Sequence, residues 1–201
     1  MCIRDSFERI AKDTVKRLKP RIKKISVIFE DLGLVMDQTL REQALVVAVS
    51  AFEVYLREIA VSVITLNPSI RKRFYEEIES AISLSKLEEY REDAKRTQGE
   101  IVADLVKLDT RRIKSLLKRL VGMENVFGDR KTELKVRRIF ERRHIVIHRA
   151  GLVDPKFKKA TKYRGAIDRQ IEISRRYVLE SIGVLEELAK RVETHIYDYR
   201  G

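Results

Sequence analysis

The sequence predicts an all-α fold, a bundle of about five to six helices in one domain spanning residues 1–201. Three observations carry this. Glycine and proline are scarce, at 8 and 3 residues, and Trp is absent; sandwiches and barrels need far more turn residues. Apolar residues recur at helical spacing along nearly the whole chain. Apolar content is 44% in a chain of 201 residues, enough for a sizeable core. The terminal "MCIRDS" (1–6) is not relied on as part of that fold.

In order along the chain, Phe7, Ile10, Ala11, Val15 and Leu18 form one amphipathic stripe before Pro20. "RIKKISVIFEDL" reads as a short second helix, broken at Gly33. Asp37 is placed to cap a long helix through "QTLREQALVVAVSAFEVYLREIAVSVITL", which Asn67-Pro68 ends. Apolar residues on nearly every side of 44–52 predict that this helix is central. Ser69 is the expected cap of "IRKRFYEEIESAISLSKLEEYR", followed by the polar junction "EDAKRTQGE". "IVADLVKLDTRRIKSLLKRL" reads as a helix ending at Gly122, and "MENVFGDR" as a loop. The next helix is expected from near Thr132 to Ala150, with Gly151 as its C-terminal cap. The Asp-Pro of "LVDPKFKKATKYRG" signals a turn or helix start. A last helix is expected from about Ala166 to Tyr199, its core face including Ile167, Ile171, Ile173, Val178, Ile182, Leu185 and Leu188.

Charge narrows the partners. Net charge is +12, which favours a polyanion, with nucleic acid first. The alternative is a basic surface that serves solubility alone. The single Cys2 cannot form an internal disulfide, so a reducing compartment fits. No signal-peptide pattern opens the sequence. The longest apolar run, "ALVVAVSAF" (44–52), is far short of the roughly 20 residues of a membrane span. A soluble, cytoplasmic protein with no membrane partner is expected.

The segment "ERRHIVIHRAG" (141–151) carries the chemistry. On a helix, His144 and His148 share a face as an i,i+4 pair. Arg142, Arg143 and Arg149 surround them. One reading makes these histidines simple surface or half-buried residues. A second makes them zinc ligands at a common spacing. The general-base Glu of that motif is missing, His195 would have to come from another helix, and the arginines would repel a dication. The third is acid–base work on a phosphodiester. Imidazole can take a proton from a ribose 2′-OH or return one to a leaving oxygen. Arginine can pair with phosphate and stabilise transition-state charge. No metal or cofactor is required. Such a set suits metal-independent RNA cleavage.

The surroundings fit a polyanion. From 130 to 164 the chain is dense in Lys and Arg, opposed only by Glu133, Glu141 and Asp154. Arg142, Arg149, Lys156 and Lys158 are the candidate RNA-binding residues. The second basic cluster, "RRIKSLLKR" (111–119), reads as a solvated helix face.

"RRHIVIHRAGLVD" resembles the signature of HEPN domains (higher eukaryotes and prokaryotes nucleotide-binding), with Arg143, His144 and His148 on its Arg, polar and His positions. "ALVVAVSAFEVYLREIA" (44–60) is similar to the earlier HEPN helix, in which a Glu, here Glu53, often lies near the motif. The resemblance implies a HEPN-like bundle that forms a homodimer with the two motifs meeting. It implies a metal-independent endoribonuclease of the toxin–antitoxin, abortive-infection or antiviral-defence group, and with it an antitoxin protein as partner. By resemblance His148 is the acid/base residue, Arg143 the phosphate ligand and His144 the polar helper. Ala150 stands where the branch that pairs with nucleotidyltransferases has Tyr, so that mechanism is not implied. The alternatives are a catalytically silent HEPN module that binds RNA or a partner, and a plain helical scaffold. Crowded positive charge is also expected to depress at least one histidine pKa.

Overall fold

A computed structural model describes residues 38–67, 69, 70, 72 and 110–198. Those residues are all-α: α1 (Gln38–Leu66), α2 (Thr110–Val121), α3 (Arg130–Arg149), α4 (Pro155–Thr161) and α5 (Arg175–Asp198). The two helices expected before Gly33, the Asp37 cap, most of the helix at 70–91, the junction at 92–100 and the segment 101–109 lie outside the described residues.

α1 packs against α2, α3 and α5. Its buried stripe includes Leu45, Val49, Phe52 and Leu56. The Phe52 ring meets Tyr55 at 6.0 Å and Phe140 of α3 at 6.4 Å between centroids. Tyr55 donates its hydroxyl hydrogen to the Ala189 carbonyl of α5 at 2.8 Å, which satisfies the one polar atom of a buried ring. The enclosure is not complete. Leu40, Val47 and Val54 recur every seven residues and stay 54%, 49% and 42% exposed. That spacing keeps them on one stripe, turned from the face that holds Val49 and Phe52. Just past the C-terminal end of α1, Asn67 rather than Ser69 acts as the cap of the next helical turn. Its side-chain oxygen accepts the N–H groups of Ser69 and Ile70, both at 3.1 Å.

α2 divides cleanly. Ile113, Leu116, Leu117, Leu120 and Val121 are buried, while Arg111, Arg112, Lys114, Lys118 and Arg119 are exposed. Gly122 and Gly128 take left-handed φ on either side of the loop into α3. At Gly128 (φ +77) the left-handed backbone demands glycine; the Arg191 guanidinium lying where a Cβ would sit ends a flexible side chain that can shift.

α3 begins earlier than expected, because Asp129 is its cap. The carboxylate accepts from Thr132 N at 2.7 Å, and this bond holds the Asp129 pKa below the ordinary value. The helix ends through two successive left-handed residues, Ala150 and Gly151. Both of their N–H groups donate to the Ile145 carbonyl. Asp154 then caps α4 through Phe157 N at 2.6 Å. Pro155 fills the first turn, where its missing N–H costs nothing.

The last helix departs most from expectation. It starts at Arg175, not near Ala166. Residues 167–169 instead make a turn, with Asp168 left-handed (φ 60), and 170–173 run as an extended strap. Leu152 and Gln170 make an antiparallel bridge, Val153 N donates to Arg169 O, and Ile171 N to Gly151 O. The first turn of α1 binds the same strap. Gln38 Nε2 donates to Ile171 O at 3.0 Å, and Arg41 Nε to Ile173 O at 2.7 Å. These bonds satisfy backbone groups that a helix would have satisfied internally. Ile171 and Ile173 are buried as expected, but from an extended chain whose alternation sends both inward. Ile167 is 44% exposed, contrary to its expected place in the core. Ser174 caps the true helix start, accepting from Tyr177 N at 3.1 Å.

Candidate functional site

α3 lies among α1, α2, α4 and α5, so its polar residues fall into flanks. Val136, Ile139, Phe140, Ile145 and Val146 are buried and lock its rotation. Arg143 then points to α1. Its Nη2 lies 3.2 Å from Glu53 Oε2, and both side chains are mostly covered, at 26% and 20% exposed. Burial pushes the Glu53 carboxyl pKa up, and the Arg143 charge opposes that rise. Arg143 and Glu53, expected to lie near each other, are therefore direct partners. Arg143 Nε is buried with no hydrogen-bond partner.

His144 and His148 sit side by side, ring centroids 4.7 Å apart and tilted by 51°. Both are exposed. The His144 pKa is held below the ordinary 6.5. Partial burial is the largest cause, then the charge on His148; Lys156 and Arg143 add to it, and Glu141 opposes it. A lowered histidine pKa is what crowded charge predicts, although burial comes first. At neutral pH His144 is thus an uncharged imidazole that can accept a proton.

His144 also lines a cleft of about 350 Å³ between α2, α3 and α4. Lys156 and Lys159 of α4, Arg137 of α3 and Arg111 of α2 line it too, with Glu141 as the one carboxylate. Lys159 was missed in the sequence because the helix start at Asp154-Pro155 is local, whereas the docking of α4 beside His144 is tertiary. With α4 starting at Pro155, Lys156 and Lys159 are i,i+3 neighbours on one face. Lys158 falls outside that lining. Arg111, read as part of a solvated face, reaches the cleft because α2 begins beside it.

The other expected RNA-binding arginines point elsewhere. Arg149 pairs with Asp154 at 3.4 Å. Arg142 lies on another flank of α3, its guanidinium 4.2 Å over the Tyr177 ring of α5. His195 is remote from the histidine pair and donates Nε2–H to Val121 O at 2.8 Å, at the end of α2. Among the described residues no group of three His, Cys, Asp or Glu is arranged to hold a metal ion. No described helix is long and apolar enough to cross a membrane. Compared with protein-family models, curated proteins and solved structures, the chain matches none.

Proposed function

We propose that the chain is a metal-independent endoribonuclease, a cytoplasmic toxin or antiviral-defence effector of HEPN type. The observation that carries this reading is the His144–His148 pair. Its rings are 4.7 Å apart, and one of them is biased to the neutral form beside a cationic cleft. A neutral imidazole next to a second imidazole suits paired proton transfer. His144 takes the proton of a ribose 2′-OH as its oxygen attacks the adjacent phosphorus. The bond from phosphorus to the 5′ oxygen breaks, and that oxygen takes a proton from His148. The products are a 2′,3′-cyclic phosphate and a 5′-OH end. Lys156, Lys159 and Arg137 steer the phosphate backbone into the cleft. Arg143, held by Glu53, supplies positive charge one residue from His144.

The exposed apolar residues on α1 (Leu40, Val47, Val54), with Ile147 of α3, support pairing with a second copy. The same residues suit capture by an antitoxin. The test is RNA cleavage in EDTA, with the ends identified chemically. A folded His148→Ala variant that cuts as fast as wild type would sink the proposal.

A second reading rests on the Arg143–Glu53 ion pair. With that guanidinium engaged by a carboxylate, the same basic edge binds RNA without cutting it. Salt-sensitive RNA binding without cleavage products would favour this module.

A further inference from the structure

The larger concavity lies on the other flank of α3, away from the histidines. It measures about 730 Å³ and is walled by α3, α5 and residues 161–165. Sites for small ligands occupy roughly 300–1,000 Å³. Its cations are Lys135, Arg138, Arg142, Lys162 and Arg164. Two carboxylates face them. Glu180 is already engaged with Arg176 at 2.7 Å, which leaves Glu187. The wall is therefore positive and suits an anion.

Two tyrosines join those cations. Tyr163 is held against Phe157, with centroids 5.6 Å apart, and packs on Gly165 so closely that a Cβ there would collide with the ring. Tyr177 lies beneath the Arg142 guanidinium. The fold leaves both the Arg142 Nε and the Tyr177 hydroxyl without a hydrogen-bond partner. Buried donors are costly to leave unpaired, so each calls for an explanation, a bound ion among them.

Gly183 adds a third, independent observation. It sits inside α5 and lines this cleft. A Cβ there would meet nothing within 4 Å. Glycine is a poor helix former, so a mid-helix glycine calls for a reason, and packing supplies none here. The bare backbone makes a flat floor that a ring can approach closely.

We propose that this cleft binds a phosphorylated ligand with a planar ring, of the size and chemistry of a nucleoside monophosphate. The phosphate meets Arg142, Arg138 and Arg164. The ring lies over Gly183 and beside Tyr163, where Glu187, one turn beyond Gly183, accepts from a ring or sugar donor. A free nucleotide and one nucleotide unit of an RNA strand present the same chemistry. The site does not depend on the nuclease reading, because it shares no residue with the histidine pair.

The full chain has no Trp and seven Tyr, so ligand binding is followed by tyrosine fluorescence quenching and by calorimetry, with UMP, AMP and inorganic phosphate as probes. Wild type is expected to bind a mononucleotide saturably and at least tenfold more tightly than phosphate. Gly183→Leu, which fills the floor without removing charge, is expected to weaken this at least tenfold. Its melting temperature is expected to be no lower than wild type, since leucine favours the helix. Gly183→Ala checks the fold and is expected to melt higher. Absence of saturable binding, equal binding by Gly183→Leu, or phosphate binding as tightly as UMP overturns the proposal. A six-nucleotide RNA separates the two sources. A parallel loss of its affinity in Gly183→Leu assigns the site to the RNA strand, and an unchanged affinity assigns it to a free nucleotide. His148→Ala is expected to bind UMP as wild type does, so failure of the nuclease reading is read separately.

Discussion

Arg142 and Arg143 are consecutive in sequence, yet they meet different neighbouring helices. Arg143 turns to α1 and pairs with Glu53; Arg142 turns to α5 and lies over Tyr177. On the first flank stand two exposed imidazoles and a narrow cationic cleft. On the second stand tyrosines, a bare helix backbone and a cleft about twice as large. The first flank has groups that move protons near neutral pH; the second has groups that hold charge and rings. A single dense run of basic residues thus splits into two surfaces of different chemistry, because the step of about 100° per residue sends neighbours apart.

The strongest way to break this comparison is to disable one flank alone. His148→Ala is expected to lower RNA cleavage about 100- to 10,000-fold, the range for loss of a general acid–base group. Mononucleotide binding on the far flank is expected to stay within twofold. Loss of both functions in a folded variant would mean that the flanks are one site.

Phe157→Ala should damage both flanks together. This buried ring anchors α4, which carries Lys156 and Lys159, and it also contacts Tyr163. The expected loss is about 3–5 kcal/mol in urea unfolding, as for other buried aromatics. A loss under 1 kcal/mol would show that α4 is not held by its core contact.

Glu53→Ala sharpens the contrast between the arginines. It leaves the Arg143 guanidinium part-buried without its carboxylate, at a cost of about 1–2 kcal/mol. Cleavage should fall with it, while the flank of Arg142 is unaffected. An unchanged unfolding midpoint and unchanged cleavage would remove Arg143 from the site.

The smallest effect is in pH. His144 has a folded pKa below 6.5, so between that folded value and 6.5 the unfolded chain binds more protons. Stability therefore rises with pH across that window and falls as pH drops through 6.5. The His144→Gln variant should lack this dependence, with a difference well under about 1 kcal/mol because solvent screens the exposed ring. Unfolding curves at several pH values check the sign. Wild-type stability that rises on acidification through 6.5 would contradict it.

Much of this architecture was legible because helix signals are local. The long helix over 38–66 and its stop at Asn67 follow from apolar spacing and the Asn-Pro pair. The i,i+4 contact of His144 and His148 needs only helical geometry. The start of α5 was not legible in the same way. Ile167, Ile171 and Ile173 continue an apolar pattern that suits either a helix or an extended strap, and only the Ser174 cap separates the two. Lys159 and Arg111 were missed for a related reason. Their approach to His144 depends on how α4 and α2 dock against α3.

By itself the sequence determined the all-α class, the edge that bears both histidines and the basic run around it, since each depends on spacings within one or two helical turns. The tertiary structure alone decided that Arg143 meets Glu53, 90 residues away, and that Arg142 faces Tyr177. It also decided that 170–173 runs extended against Gln38 and Arg41. Those outcomes depend on which buried faces dock, and docking is settled by contacts between segments far apart in the chain.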